Sequence, residues 1–419
     1  MTPTRTIGAA STDSLGRSVG CPRDAPRGDR TAVQRRRAAW RAALASVALA
    51  LQGCASTLAP MSAPAPAPRC APGGQDCLAR GRDAFDAYRR AKVEAIRAKS
   101  DGYRLPSAPV ALLHPVRTDY AVLLVHGLND SAYYMADIGD LLYGSGANVV
   151  TVLLPGHGTD QRDMLDVSAE MWRAEVDLGL DMAALVGRRV IVGGFSLGGA
   201  LALDAVLRRP DIQGLLLFSP AIRLRSFDGV ASLTCAPGLR EFEWETELPQ
   251  NPVKYRYRAG NGVCQLTRIM QRNLAAGDGA ARNPPVAADE VRGLARRVSV
   301  PTFLALSFAD ARISPEAALE FAGNASAPVM VATFGRPEGD RLAPVAATEE
   351  IRHVADAGLP HSYLVRRSNP YNGQENPCFD RMAAALADFL FEHFHLGAGT
   401  GESPLPECRP LGETLKGSD

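Results

Sequence analysis

Ser196 stands between glycines in Gly194-Phe195-Ser196-Leu197-Gly198, at the centre of RVIVGGFSLGGALALDA (189–205). With 39 glycines in 419 residues, a G-x-S-x-G match arises by chance in roughly one such chain in five, so the five letters alone are weak. A serine hydroxyl is a poor nucleophile unaided. To attack a carbonyl it needs a general base, a carboxylate that orients the base, and backbone N–H groups that hold the oxygen gaining charge.

For a serine on a strand-to-helix turn, the chain order is serine, acid, histidine. Of the seven histidines, His114, His126 and His157 precede Ser196, and His393 and His395 fall within the pattern of the last helix. His361, in GLPHS, belongs to a loop between the last strand and the last helix, where an imidazole can reach over Ser196. His353, in TEEIRHVADAG, reads as a short helix, so His361 is the favoured base. Asp310 closely follows the apolar run TFLAL and is the favoured acid; Asp340 and Asp356 end no clear strand. The expected oxyanion donors are the N–H groups of Leu197, next after the serine, and Leu128, in the loop VHGLN. His126 is expected to brace that loop rather than perform chemistry.

These residues need elements to hold them. Short β-branched runs at 121–125, 149–154, 189–192, 214–218, 302–306 and 329–334 read as buried strands. Helical patterns occupy 131–143, 168–186, 197–208, 316–322 and 381–394, so strands and helices alternate. That order implies an α/β fold, a mostly parallel sheet with helices on both faces and ligands at the carboxyl ends of its strands. Ser196 then falls on a turn at that edge, where its glycines let strand and helix approach closely. Residues 219–300 break the alternation and read as a cap or lid. Residues 78–104 read as a helical extension with a packing role only.

The first 53 residues are not fold material. A basic segment, RRRAAWR, precedes the apolar run 42–51 and then Leu51-Gln52-Gly53-Cys54. This resembles the lipobox of bacterial lipoproteins, which implies that Cys54 is lipidated and becomes the mature N-terminus. A start at Val33 would give the leader ordinary proportions. Residues 54–77, rich in Ala, Pro and Ser, read as a tether, and 397–419 as a tail. No run of 18 apolar residues suggests a membrane-spanning helix. Removing the leader, with nine Arg and three Asp, takes the net charge from +1 to −5 (37 basic against 42 acidic residues). Nucleic acid is therefore not an expected partner. Six cysteines follow Cys54, an even number that suits disulfides in an exported chain; pairing sequence neighbours is the simplest of 15 connectivities. No C-x-x-C occurs, and no metal site is expected.

Four segments, LLVHGLND, LLPGHGTDQRDML with MWRAEVD, VGGFSLGGALAL, and PTFLALSFADARISP with LPHSYL, resemble the α/β-hydrolase family. PGHG followed by a Trp-bearing helix is similar to its branch of bacterial carboxylesterases and monoacylglycerol lipases, which also holds serine aminopeptidase-like proteins. The resemblance implies a core at 105–218 and 301–396, a Ser196–Asp310–His361 triad, an acyl-enzyme and no cofactor. It departs from the family at 366–379, inserted before the last helix, and in the extension to Arg104. The expected protein is a lipid-anchored serine hydrolase of the bacterial envelope, at the outer membrane facing the periplasm. It would act on carboxylic esters, either short- to medium-chain acyl esters or monoacylglycerol. An amidase, aminopeptidase or thioesterase with the same triad is the alternative, with Glu241, Glu243, Glu245 or Glu247 to capture an amine. A noncatalytic binding lipoprotein is the third reading.

Overall fold

The computed structural model describes residues 75–225, 231–245, 251–275, 288–337, 349–398 and 406–409. The leader, Cys54, most of the tether, Asp340 and Glu247 lie outside them. The first element, α1 (Gln75–Ser100), carries Asp76 in its first turn and Arg97 and Lys99 in its last, charges that suit the helix dipole. It buries Leu78 and Phe85, and Tyr88 Oη both donates to Glu175 (2.6 Å) and accepts from the Leu153 N–H (2.9 Å). The extension is thereby fastened to the core.

The strands β1 (Ala111–Leu112), β2 (Thr118–Val125), β3 (Asn148–Thr151), β4 (Gly187–Phe195) and β5 (Ile212–Phe218) come first. A short hairpin follows, β6 (Glu243–Glu245) with β7 (Tyr257–Ala259). The main sheet resumes with β8 (Thr302–Ser307), β9 (Val329–Phe334) and β10 (Glu349–Ala355). Its order is β1-β3-β2-β4-β5-β8-β9-β10, parallel throughout except for β1. This is an α/β-hydrolase fold.

Side chains alternate across the sheet, which explains why its strands read as unbroken apolar runs. Leu123, Val192 and Leu217 face one core, covered by α1, α3 (Ala169–Val186), α4 (Leu197–Arg208), α5 (Gly260–Leu274), α6 (Ala288–Arg297) and α7 (Pro315–Ala322). Val122, Ile191 and Leu216 face the other, covered by α2 (Ala136–Gly144) and α8 (Phe379–Phe394).

Three local expectations are corrected. The segment around His353 is not a helix but β10, the edge strand, paired in parallel with β9. Its Glu-rich composition suggests helix, but an edge strand tolerates charge because one side needs no partner strand. The helix expected over 131–143 divides into a 3-10 turn, Ala132–Met135, and then α2. The strand expected to reach 154 leaves the ladder after Thr151. The insertion at 366–379 holds a small hairpin, β11 (Ser368–Asn369) with β12 (Gln374–Glu375). Disulfides join Cys235 to Cys264 and Cys378 to Cys408, and Cys77 is also disulfide-bonded.

Candidate active site

Ser196 falls between the end of β4 and the start of α4 with φ +56° and ψ −114°, a conformation that a side chain strains to adopt. Such a residue costs about 1–3 kcal/mol and persists only when its surroundings over-determine it. Here the Ser196 N–H donates to Phe218 O (3.0 Å), and its own carbonyl accepts from both Ala200 and Ala221. The flanking glycines permit the close approach this needs. A Cβ on Gly194 would stand 2.2 Å from the Gly198 carbonyl carbon, and one on Gly198 would stand 2.0 Å from Val125 O. Both are impossible contacts, so the serine's position follows from its neighbours having no side chains.

His361 opens a 3-10 turn, His361–Tyr363, beyond β10, and its Nδ1 lies 2.6 Å from Asp310 Oδ2. The carboxylate can only accept, so Nδ1 carries the proton and Nε2 is left as the basic nitrogen. The Phe195 ring, 4.7 Å from the imidazole centroid, supports the other side of the base. Asp310, 1% exposed, accepts at Oδ1 from the N–H groups of Arg312 (2.8 Å) and Ile313 (3.0 Å). Burial pushes its pKa up, but the charge and hydrogen bond of His361 and those two N–H groups outweigh burial and hold it below the ordinary aspartate value. Ser307, at the end of β8, exchanges two 2.7 Å bonds with the backbone of Leu359, tying the acid's strand to the loop of the base. Nothing in the sequence marked that serine. His353, by contrast, bonds Asp356 (3.0 Å) on the exposed edge strand.

Leu197 is the first residue of α4, where an N–H has no intrahelical carbonyl. Leu128 lines the same cavity as Ser196 and His361. Its loop is held by two buried histidines. His126 Nδ1–H donates to Gly127 O (2.9 Å) while Nε2 accepts from Leu154 N–H (3.1 Å). His157 Nδ1–H donates to Pro155 O (3.1 Å) while Nε2 accepts from Asn129 N–H (3.2 Å). Both rings must be neutral for this pattern, and burial lowers both pKa values, that of His157 to about 4. The bracing part of His126 was expected from the sequence; that of His157 was not, although the PGHG quartet was its signal.

The cavity has a volume of about 520 Å³. The segment expected to form a lid supplies much of its wall, including Leu233, Leu239, Phe242, Val263 and Leu266. α5 anchors that wall. Asn261 Nδ2 donates to the carbonyls of Met164, Leu165 and Val167, and Asn273 Nδ2 to Ala200 O. Glu241 and Glu243 are not among the lining residues; the cavity's acid is Asp130, 3.2 Å from Lys254 Nζ. Among the described residues, no group of three or more His, Cys, Asp or Glu forms a metal site, and no helix is long and apolar enough to cross a membrane.

A profile of the Alpha/beta hydrolase family matches residues 122–391, from β2 to α8. The chain belongs to this family. Among its relatives, the hydrolase is 28% identical over 168 residues to the thermostable monoacylglycerol lipase of Bacillus sp. (strain H-257), a match covering 37% of this chain and 63% of that one. Solved structures similar to it include the Paleococcus ferrophilus monoacylglycerol lipase, at 18% identity and TM-score 0.48, covering 68% of this chain and 98% of that one. The soluble variant of Saccharomyces cerevisiae monoglyceride lipase aligns at 14% identity and TM-score 0.47, covering 68% and 91%.

Proposed function

We propose that this α/β-hydrolase cleaves carboxylic esters of short- to medium-chain acyl groups, or monoacylglycerol, through an acyl-enzyme. The observation that carries the reading is the hydrogen-bonded Asp310–His361 pair in one cavity with a strained Ser196. Ser196 Oγ attacks the ester carbonyl while His361 Nε2 takes its proton. The N–H groups of Leu128 and Leu197 hold the oxyanion, aided by the positive end of α4. As the tetrahedral adduct collapses, His361 returns the proton to the departing alcohol; water then repeats the sequence on the acyl-enzyme and frees the acid. Asp310 keeps the ring oriented and stabilises its transient positive charge.

An aminopeptidase needs a free carboxylate to receive the substrate's amine. The cavity's Asp130 is already matched by Lys254, so an ester is favoured over a substrate with a charged amine. The lipase name of the Bacillus relative supports the same class. We also propose that the chain is held at the bacterial envelope by a lipid on Cys54.

Ser196→Ala tests the mechanism. Its rate on 4-nitrophenyl butyrate is expected to fall at least about a thousandfold, and a fluorophosphonate probe to label the parent at Ser196 alone. Equal rates in variant and parent would sink the esterase reading, and absence of an adduct would favour a chain that kept the fold only to bind.

A further inference from the structure

Arg258 lies at the middle of β7, in the wall of the cavity that holds Ser196 and His361. Its Nε is buried with no hydrogen-bond partner. Among the described residues, no carboxylate lies within ion-pair distance of its guanidinium. Arg312, which is exposed to solvent, lines the same cavity and has no ion pair among the described residues. Lys254 is a third cation, but Asp130 matches it at 3.2 Å. The surrounding wall is largely apolar, with Leu224, Val263 and Ile313.

Removing a charged group from water is costly unless it is paired, and a guanidinium is built to receive a planar or tetrahedral oxyanion through two parallel N–H bonds. Burial and repulsion from Arg312, partly offset by Asp130, lower the pKa of Arg258 to about 10, so it remains a cation at neutral pH. Its position is fixed relative to the reacting centre. Asn129 Nδ2, in the loop of Leu128, donates to the carbonyl of Tyr257, next to Arg258 (2.9 Å). The N–H of Arg312 donates to Asp310 itself (2.8 Å). Two unpaired cations therefore belong to elements hydrogen-bonded to the oxyanion loop and to the acid.

We propose that the preferred substrates are esters bearing a carboxylate or phosphate, which pairs with Arg258 and Arg312 while the ester carbonyl meets Ser196. The proposal rests on the ester-hydrolase reading and narrows its substrate class: an anion on either the acyl or the alcohol side satisfies the two guanidiniums.

The test compares wild type, Arg258→Met and Arg258→Lys on three esters. These are neutral 4-nitrophenyl butyrate, mono-4-nitrophenyl glutarate with its anion on the acyl side, and 4-butyryloxybenzoate with its anion on the alcohol side. Losing a charge-assisted hydrogen bond predicts that Arg258→Met lowers the anionic-to-neutral ratio of kcat/KM by about tenfold or more on one anionic arm, mainly through KM. Arg258→Lys should retain part of the preference. Unchanged ratios on both arms overturn the proposal. If Arg258→Met does not fold, Arg312→Ala is measured in the same way against the same ratios. If wild type turns over none of the esters, the hydrolase reading fails, and the melting temperature in glutarate decides the cation site separately: a rise in wild type but not in Arg258→Met supports it, and equal shifts or none overturn it.

Discussion

Three histidines near the site are put to different uses by what their ring nitrogens touch. His361 Nδ1 faces a carboxylate, which fixes its proton on that nitrogen and leaves Nε2 as the acceptor; His126 and His157 each face one carbonyl and one N–H, which requires a neutral ring. The second pattern has a pH signature. The folded state binds no proton at His157 until about pH 4, whereas the unfolded chain binds one near about 6.5. The unfolded state therefore holds more protons between those values, and stability falls as pH drops from about 6.5 to about 4, by up to about 1.4 kcal/mol per pH unit for this one ring. His157→Gln is expected to reduce that slope in urea unfolding while costing about 1–3 kcal/mol at pH 8. An identical slope in variant and parent would refute the assignment.

Among the elements, α5 decides what the insertion is. Cys264 on this helix is bonded to Cys235 at the end of the 3-10 turn Ser232–Cys235, and the same helix donates Asn261 and Asn273 to core carbonyls. The cavity wall is thus cross-linked to a helix that is itself fastened to α4. Replacing both cysteines by serine removes a cross-link between residues 29 apart, which by chain entropy is expected to lower stability by about 3–4 kcal/mol. Because Leu233 and Thr234 line the cavity beside this bond, KM for esters should rise as well. A double variant with the parent's unfolding midpoint would show that the bond adds nothing. The helices around the serine were legible because their apolar spacing is local. β10 was not, because pairing with β9, and not its own composition, makes it a strand.

At the scale of the whole chain, catalytic core and proposed anchor are separable problems. Phe394, at the end of α8, packs against Tyr120, and Cys408 bonds Cys378 at the start of that helix, so the expected tail is tied back to the core. The anchor rests on RRRAAWR, the apolar run and LQGC alone. If the proposal holds, mass spectrometry will find the mature chain beginning at an acylated Cys54, and Cys54→Ser will leave the membrane fraction. An unmodified terminus upstream of Cys54 would rule it out. If the proposal holds, the tether expected at 54–77 would let the mildly acidic enzyme stand off the membrane surface.

The sequence by itself determined the strand-to-helix context of Ser196, the order of candidate acid and base, and the segment inserted between β5 and β8, because each depends on local spacing. It favoured His361 over His353 as the base without showing what either ring meets. Tertiary structure decided between their settings: one ring lies on an exposed edge strand, and the other meets Asp310 at 2.6 Å, across 51 residues of chain. It also brought Arg258 and Arg312 to the serine's cavity, where, among the described residues, no carboxylate forms an ion pair with either. Charge pairing between residues distant in sequence depends on how the chain returns to the same place, and no spacing rule contains that information.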